Sequence, residues 1–337
     1  MTSLNSSARA DADATPPEAD STVAGHLGQE LVHAISTVIE GKQDIIRLAV
    51  TALLGEGHLL IEDVPGVGKT MLAKALARSI DGSVKRIQFT PDLMPSDVTG
   101  VSVFNQQTRE FEFKPGAVFA NIVVGDEINR ASPKTQSALL ESMEERQVTV
   151  DGHTSALSPP FMVIATQNPI EMEGTYPLPE AQRDRFIMRL AIGYPAASAE
   201  RSMIDTHASA AALESLQPVT DASTVAAAVR AIRAVHVADD VKDYAISLTS
   251  ATRQSPEIRL GASPRATLHL VRAARAHAAM DGRDFVLPDD IGHLAVAVLS
   301  HRLLPSAEAQ VARRDAGAII TDLVESRHVP VGGRHGR

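Results

Sequence analysis

Short apolar runs alternate with stretches of helical periodicity along residues 24–193. Apolar residues recur with helical spacing over 27–38, 43–54 and 70–79, and Ser132-Pro133 predicts the start of a helix over 133–146. The strand-like runs are 58–61, 84–89, 121–124, 161–165 and 186–191. Apolar runs without polar alternation are typical of strands covered on both faces, as in parallel sheets. The pattern therefore predicts an α/β domain with a central parallel sheet.

Two segments interrupt this pattern, 101–113 and 147–157, and each predicts a β-hairpin, the second turning at Asp151-Gly152. Residues 1–23 are rich in Ser, Ala, Asp and Pro and predict a disordered tail, and 329–337 predict a flexible end. The pattern after a linker near 193–197 is almost entirely helical. We therefore expect an α/β domain over 24–193 and an all-helical lid domain over 194–328.

Composition narrows the class of protein. The 337 residues include 32 basic and 41 acidic side chains, a net charge of −9, which argues against a broad grip on nucleic acid. Cysteine is absent, which excludes disulfides, thiolate metal sites and a cysteine nucleophile. The chain start lacks the apolar core of a secretory signal, and no apolar run approaches the roughly 20 residues of a membrane-spanning helix. These features predict a cytoplasmic protein.

The clearest chemical signal is L-L-I-E-D-V-P-G-V-G-K-T at 59–70, where a predicted strand enters a glycine-rich loop and then a helix. Such a loop turns backbone N–H groups toward a phosphate, and the helix start adds its positive dipole end. The lysine of such a loop contacts the β- and γ-phosphates, and the hydroxyl of the next residue binds Mg²⁺. Contacts to nucleotide are expected from Asp63, Val64, Pro65, Gly66, Val67, Gly68, Lys69, Thr70 and Met71.

Polar residues also follow two other predicted strands. Asp126 and Glu127 end the run N-I-V-V-G-D-E, and Asn168 follows F-M-V-I-A-T-Q. Ligands of α/β sheets bind at the carboxyl ends of strands, so Asp126 is expected to hold Mg²⁺ together with Thr70. Glu127 would orient or deprotonate the attacking water. Asn168 would contact the γ-phosphate or that water, although an asparagine before a proline in a plain turn is the alternative interpretation.

Two arginines complete the candidate site. Arg185 lies just before the last strand of the α/β domain, where a salt bridge with Asp184 or Glu180 is the alternative interpretation. Arg265 follows Ser263-Pro264 in the first turn of a lid helix, where a cation opposes the helix dipole and suggests an anion nearby, although a plain surface charge is also possible.

Other polar side chains are expected to be structural. We interpret Glu144 and Glu145 as a solvated helix face. Three histidines of the helical part are interpreted as partly buried or surface residues rather than metal ligands: His269, His277 and His293.

The ordered series of motifs resembles the MoxR family of AAA+ ATPases over about residues 24–304. The motifs are E-D-V-P-G-V-G-K-T (62–70), Q-F-T-P-D-L-M-P-S-D-V-T-G (88–100), D-E-I-N-R-A (126–131), A-L-L-E-S-M-E-E-R-Q-V-T-V-D-G (138–152), A-T-Q-N-P (165–169), G-T-Y-P-L-P-E-A-Q-R-D-R-F (174–186) and G-A-S-P-R-A (261–266). The resemblance implies that 63–71 is Walker A and that Asp126 and Glu127 are Walker B.

The resemblance further implies that Asn168 is sensor 1, Arg265 sensor 2 and Arg185 an arginine finger that serves the neighbouring subunit. An acidic residue at Asp63 fits the family, whereas Arg183, where leucine is common, leaves the choice of finger within the pair 183/185 open. These roles imply an ATPase that uses ATP and Mg²⁺ in a ring, expected to be a hexamer.

Relatives of this kind remodel partner proteins or insert cofactors and metals into them, and their partners often carry a von Willebrand factor A domain. The resemblance therefore implies a chaperone-like ATPase. The alternatives are the ATPase subunit of a metal chelatase, a nucleic-acid motor, which the acidic charge and 3% aromatic content oppose, and a nucleotide-binding scaffold without turnover.

Overall fold

The structure is a computed structural model that describes residues 21–329 apart from 65, 169–174, 196, 198, 199 and 202–207. Five parallel strands form its central sheet: β1 (Leu59–Glu62), β2 (Val84–Gln88), β5 (Ile122–Asp126), β8 (Met162–Gln167) and β9 (Met188–Leu190). Their order across the sheet is β2-β5-β8-β1-β9. The predicted central parallel sheet is confirmed.

Side chains of the inner strands alternate between two apolar cores, as the period of two along a strand requires. Leu59 and Ile61 of β1 pack into a large core with helices on one face, while Leu60 packs into a second core on the other face. Strand β2 differs, because only Ile87 among its residues is buried. The expectation of a strand covered on both faces is therefore wrong for 84–89, which forms a sheet edge with Lys85 and Arg86 in solvent.

The helices before residue 190 are α1 (Ser21–Ser36), α2 (Gln43–Leu54), α3 (Lys69–Ser79), α4 (Pro95–Thr99), α5 (Pro133–Glu145) and α6 (Glu180–Arg183). Ser132 caps α5 by accepting from the Thr135 N–H, as the Ser-Pro pair predicts. Helix α1 lies against the helical part of the chain, where a Cβ on Gly25 would come within 1.8 Å of the Ala279 carbonyl oxygen. Only glycine allows this close approach.

The remaining helices are α7 (Ala208–Ser215), α8 (Ala222–Ile232), α9 (Asp239–Gln254), α10 (Pro264–Met280), α11 (Pro288–Leu299), α12 (Ala307–Val311) and α13 (Ala316–Glu325). A short antiparallel pair, β10 (Ile258–Leu260) with β11 (Leu304–Pro305), lies among them. The predicted helical lid is therefore observed, with this one small ribbon as a departure from an all-helical pattern.

Two antiparallel hairpins stand outside the central sheet, as predicted. The first pairs β3 (Gly100–Asn105) with β4 (Glu110–Pro115), and the second pairs β6 (Gln147–Val150) with β7 (His153–Ala156). Asp151 and Gly152 turn the second hairpin with φ of +50° and +79°.

The chain ends differ from the expectation at one point. Residues 21–23, predicted to belong to the tail, form the first residues of α1. Residues 1–20 and 330–337 lie outside the described residues. Within the described ranges, we find no helix that combines the length and the apolar character needed to cross a bilayer.

Candidate active site

The glycine-rich loop connects β1 to α3 at the carboxyl edge of the sheet. Gly66 and Gly68 have φ of +84° and +97°, a region that L side chains rarely adopt, so the backbone there favours glycine. Gly68 is the N-cap residue of α3, which begins at Lys69. The positive dipole end of α3 and the first amides of that helix therefore lie at the cleft that the loop borders. Pro65 lies outside the described residues.

Asp63 fixes the base of this loop. Its Oδ1 accepts from the Val64 N–H at 2.8 Å and its Oδ2 accepts from the Gly193 N–H at 2.6 Å. The Lys69 ammonium donates to the backbone oxygens of Asp63 at 2.6 Å and Gln167 at 3.3 Å. Burial lowers the pKa of Lys69, whereas the nearby carboxylates of Asp63, Asp126 and Glu127 raise it. Both oxygens of the Asp63 carboxylate thus accept hydrogen bonds from backbone N–H groups, so Asp63 shapes the loop.

The acidic pair lies where β5 ends. Asp126 is buried, and Glu127 follows it in the left-handed conformation at φ +59°, ψ +49°. Thr166 of β8 joins the two residues, because its Oγ1 donates to Asp126 Oδ1 at 3.3 Å and accepts from the Glu127 N–H at 3.1 Å. The neighbouring strand β2 contributes Arg86, whose Nε lies 2.6 Å from Asp126 Oδ2, and Gln88, which donates to Glu127 Oε2 at 3.3 Å.

These groups line one cleft of about 370 Å³. Its lining comprises Gly66, Gly68, Lys69, Thr70, Met71, Arg86, Gln88, Asp126, Glu127, Thr166 and Asn168. The structure thus brings five of the nine predicted loop residues, 66 and 68–71, together with both acids and Asn168, whereas Asp63, Val64 and Val67 are not among the described lining residues. A hydroxyl and a carboxylate are hard oxygen donors of the type that Mg²⁺ prefers, so Thr70 and Asp126 fit the expected metal. Arg86, Gln88 and Thr166 also line the cleft but were not predicted from the sequence as site residues.

The two arginines lie elsewhere, in a smaller pocket of about 100 Å³. Arg265 Nη2 is 2.5 Å from Glu144 Oε1, and Arg185 Nε is 3.4 Å from Glu144 Oε2. Neither arginine is among the described residues that line the cleft with Lys69. Glu144 is exposed, as expected of a solvated helix face, and it also carries both ion pairs, which were not predicted. Arg183, the other candidate of the pair, makes a 3.8 Å ion pair with Glu180 within α6.

Hydrogen bonds of Asp184 and Arg302 hold the segments that carry these arginines. Asp184 accepts from Arg302 Nε and from the Ser263 hydroxyl, both at 2.8 Å. Arg302, which follows α11, is buried and also donates to the backbone oxygen of Phe186 at 2.5 Å. Burial lowers the pKa of Arg302 to about 10, with Asp184 raising it. Because Ser263 caps α10, the Asp184 carboxylate ties the start of that helix to the residue beside Arg185.

Comparison with known proteins places this chain in a family. A family model described as "ATPase family associated with various cellular activities (AAA)" matches residues 58–188, and one described as "AAA lid domain" matches 250–323. The chain is 38% identical to Chaperone MoxR1 of Mycobacterium tuberculosis over 318 residues, covering 90% of this chain and 83% of that protein.

This chain belongs to the MoxR family of AAA+ ATPases.

Other relatives and a solved structure are similar to this MoxR-family chain over most of its length. Protein MoxR of Paracoccus denitrificans is 33% identical, with 84% of this chain and 90% of that protein covered. The protein YeaC of Bacillus subtilis is 50% identical, covering 90% of this chain and 95% of YeaC. A crystal structure of a protein assigned as an ATPase, from Cytophaga hutchinsonii, superposes with a TM-score of 0.85 at 36% identity and covers 92% of this chain and 97% of that one. The chain is therefore an ATPase with an AAA core and an AAA lid.

Two lid histidines of this MoxR-family chain contact charged side chains of the same chain. His269 Nδ1 lies 2.5 Å from Arg302 Nη2, and His277 Nδ1 lies 2.9 Å from Asp290 Oδ1. His277, Asp281 and Asp290 are close enough to share an ion, but Arg283 already donates to both oxygens of Asp290 at 2.7 Å. This cluster acts as a salt-bridge network that joins α10 to the start of α11.

Proposed function

We propose that this MoxR-family ATPase hydrolyses ATP in the cleft lined by the glycine-rich loop, Asp126 and Glu127, and uses the energy for chaperone-like remodelling of partner proteins. The observation that carries the proposal is the meeting of Lys69, Thr70, both acids and Asn168 in one cleft at the carboxyl ends of parallel strands. Ligands of open α/β sheets bind at this edge.

The roles follow from charge. The amides of the loop and the start of α3 bind the phosphates, and the Lys69 ammonium faces the β- and γ-phosphates. Thr70 and Asp126 would hold Mg²⁺, which when bound neutralises charge on the phosphate oxygens. Glu127 orients the attacking water and accepts its proton, and Asn168 hydrogen-bonds to the water or the γ-phosphate.

We further propose that the functional unit is a ring, with a hexamer as the expected form. Support comes from Arg185 and Arg265, which meet each other on Glu144 rather than lining the cleft beside Lys69. A pair of arginines outside its own cleft is suited to a nucleotide held by an adjoining subunit. Arginine fingers supplied in this way raise turnover by roughly 10³–10⁵-fold.

Both arginines would then act in trans, so that Arg265, the expected sensor 2, contacts the same nucleotide as Arg185. The lid would still report on nucleotide, because Ser263 and Arg302 attach it to Asp184. A tilt of the lid would therefore move Arg265 relative to Arg185, which belongs to the α/β domain, and so change the arginine pair that faces the next site. Motion between two such rigid parts is a common way to convert hydrolysis into movement.

The remodelling role is supported by the name of one relative, Chaperone MoxR1. We propose a client protein, and a partner with a von Willebrand factor A domain, as the targets of that movement. The family resemblance implies either remodelling of the client or insertion of a cofactor or metal into it.

Two variants test the cleft. Lys69→Ala should lose ATP binding in a calorimetric titration, because the loop keeps its amides but loses its cation. Glu127→Gln should bind ATP with the parental affinity yet turn over about 10²–10⁴-fold more slowly, since it lacks the base. The same Glu127→Gln protein, loaded with ATP, is the bait for capturing a client. Parental ATP affinity in Lys69→Ala, or parental turnover in Glu127→Gln, would contradict the proposal.

A further inference from the structure

One carboxylate near the end of α5 lies between two guanidinium groups that come from separate parts of the chain. Arg185 belongs to the segment between α6 and β9, and Arg265 to the first turn of α10. Glu144 meets Arg185 Nε with one oxygen and Arg265 Nη2 with the other. Its neighbour Glu145 is exposed and has no ion pair among the described residues. The contact therefore singles out one of two adjacent glutamates.

Charge explains why such a carboxylate is needed. Two guanidinium groups held together repel each other, and the repulsion grows when no counter-charge lies between them. Arg265 has a second disadvantage, because a cation in the first turn of a helix is unfavourable with the helix dipole. A carboxylate shared by the two cations offsets both effects and draws the side chains to one place.

The geometry also leaves the arginines able to bind a further anion. Each guanidinium has five N–H donors in a fixed plane, and Glu144 faces one nitrogen of each group. The exposed fractions of the three side chains are 34% for Glu144, 31% for Arg185 and 37% for Arg265, so solvent reaches all three. An anion that approaches from solvent can therefore meet guanidinium nitrogens that the carboxylate does not use.

We propose that Glu144 is a positioning residue that holds Arg185 and Arg265 side by side for the γ-phosphate of the adjoining subunit's ATP. This inference rests on the proposed function of the two arginines. The backbone of both segments is already fixed through Asp184, Ser263 and Arg302. The direction of the two long side chains is what remains to be set, and Glu144 sets it.

The test is steady-state ATPase kinetics of Glu144→Gln against Glu145→Gln, a matched variant that removes an exposed carboxylate from the same helix. Glu144→Gln should lower kcat about tenfold, since a misplacement of about 1 Å costs up to about 10²-fold, and should leave KM for ATP within about twofold. Glu145→Gln should match the parent in both constants. Sedimentation and thermal unfolding establish that all variants keep the parental assembly and fold.

A second comparison separates positioning from a general structural effect. Glu144→Gln added to the double variant Arg185→Ala/Arg265→Ala should cause no further loss of kcat, because the residue acts only through those arginines. Glu144→Asp, which keeps the charge on a shorter side chain, should restore kcat to within about threefold of the parent.

The outcomes also distinguish this proposal from the one it rests on. If Arg185→Ala turns over like the parent, the role of the arginines in trans is wrong. If Arg185→Ala is inactive while Glu144→Gln has parental or raised kcat, the positioning role of Glu144 is overturned and the proposed role of the arginines stands. The positioning role would also be overturned if Glu144→Gln lowered kcat by the same factor in the Arg185→Ala/Arg265→Ala variant as in the parent.

Discussion

Replacement of His58 by Gln tests how a buried imidazole controls the pH dependence of stability. His58 lies just before β1, where its Nδ1 accepts from the Val163 N–H at 2.9 Å and its Nε2 donates to the Met143 carbonyl oxygen at 3.1 Å. An imidazole whose Nδ1 accepts a hydrogen bond must be neutral. Burial lowers the pKa of His58 from 6.5 to about 3, in agreement with this arrangement.

The sign and size of the effect follow from linkage. Between pH 6.5 and about 3 the unfolded chain binds a proton at this histidine and the folded chain does not. Acid therefore favours unfolding, by about 1.4 kcal/mol per pH unit well below the unfolded pKa. Between about pH 7.5 and about pH 5, one such histidine removes about 2 kcal/mol from the free energy of unfolding. A glutamine cannot take up this proton.

The assay is urea unfolding of the parent and of His58→Gln across that pH range. At neutral pH the variant should be about 1–3 kcal/mol less stable, because its amide leaves at least one buried backbone partner unsatisfied. The difference should shrink by about 2 kcal/mol on acidification, while contributions from His269, His301 and the carboxylates cancel in the comparison. His33→Gln, at an exposed position of α1, is the control. Parallel pH profiles for parent and His58→Gln would refute the reasoning.

Three further predictions follow from the contacts around the two pockets. Asp184→Asn should lower the free energy of unfolding by about 3 kcal/mol in chemical denaturation, because it leaves the buried Arg302 without its counter-charge, and an unchanged midpoint would contradict this. Asp63→Asn should raise KM for ATP about fivefold, since an amide cannot accept from both Val64 and Gly193, and a parental KM would show that the loop does not depend on that carboxylate. Arg183→Ala should retain parental ATPase turnover, whereas Arg185→Ala should lose about 10³-fold, and the reverse result would move the finger to the other residue of the pair.

The parts of the fold that could be predicted depend on local pattern. Periodicity identified the parallel strands and the helices of the lid, and the spacing of Gly66, Gly68, Lys69 and Thr70 identified the loop. The interpretation of 84–89 was wrong because V-K-R-I-Q-F contains three polar residues, a composition typical of an edge strand.

The parts of the site that were missed depend on contacts between distant segments. Arg86 and Thr166 face Asp126 because β2, β5 and β8 are neighbours, and the order of strands in a sheet is not written in the periodicity of any one of them. Glu144 and Arg265 are 121 residues apart in the chain, so helical spacing predicted a solvated glutamate where the fold brings a cation.

The claim that one subunit completes the site of the next is tested most directly by mixing two inactive proteins. Lys69→Ala retains its arginines but lacks a working nucleotide cleft, and Arg185→Ala retains the cleft but lacks the finger. Rings assembled from both contain junctions where an intact cleft meets an intact arginine, so the mixture should recover ATPase activity that neither protein has alone. Mixed rings, verified by mass spectrometry, that remain as inactive as their components would contradict the account.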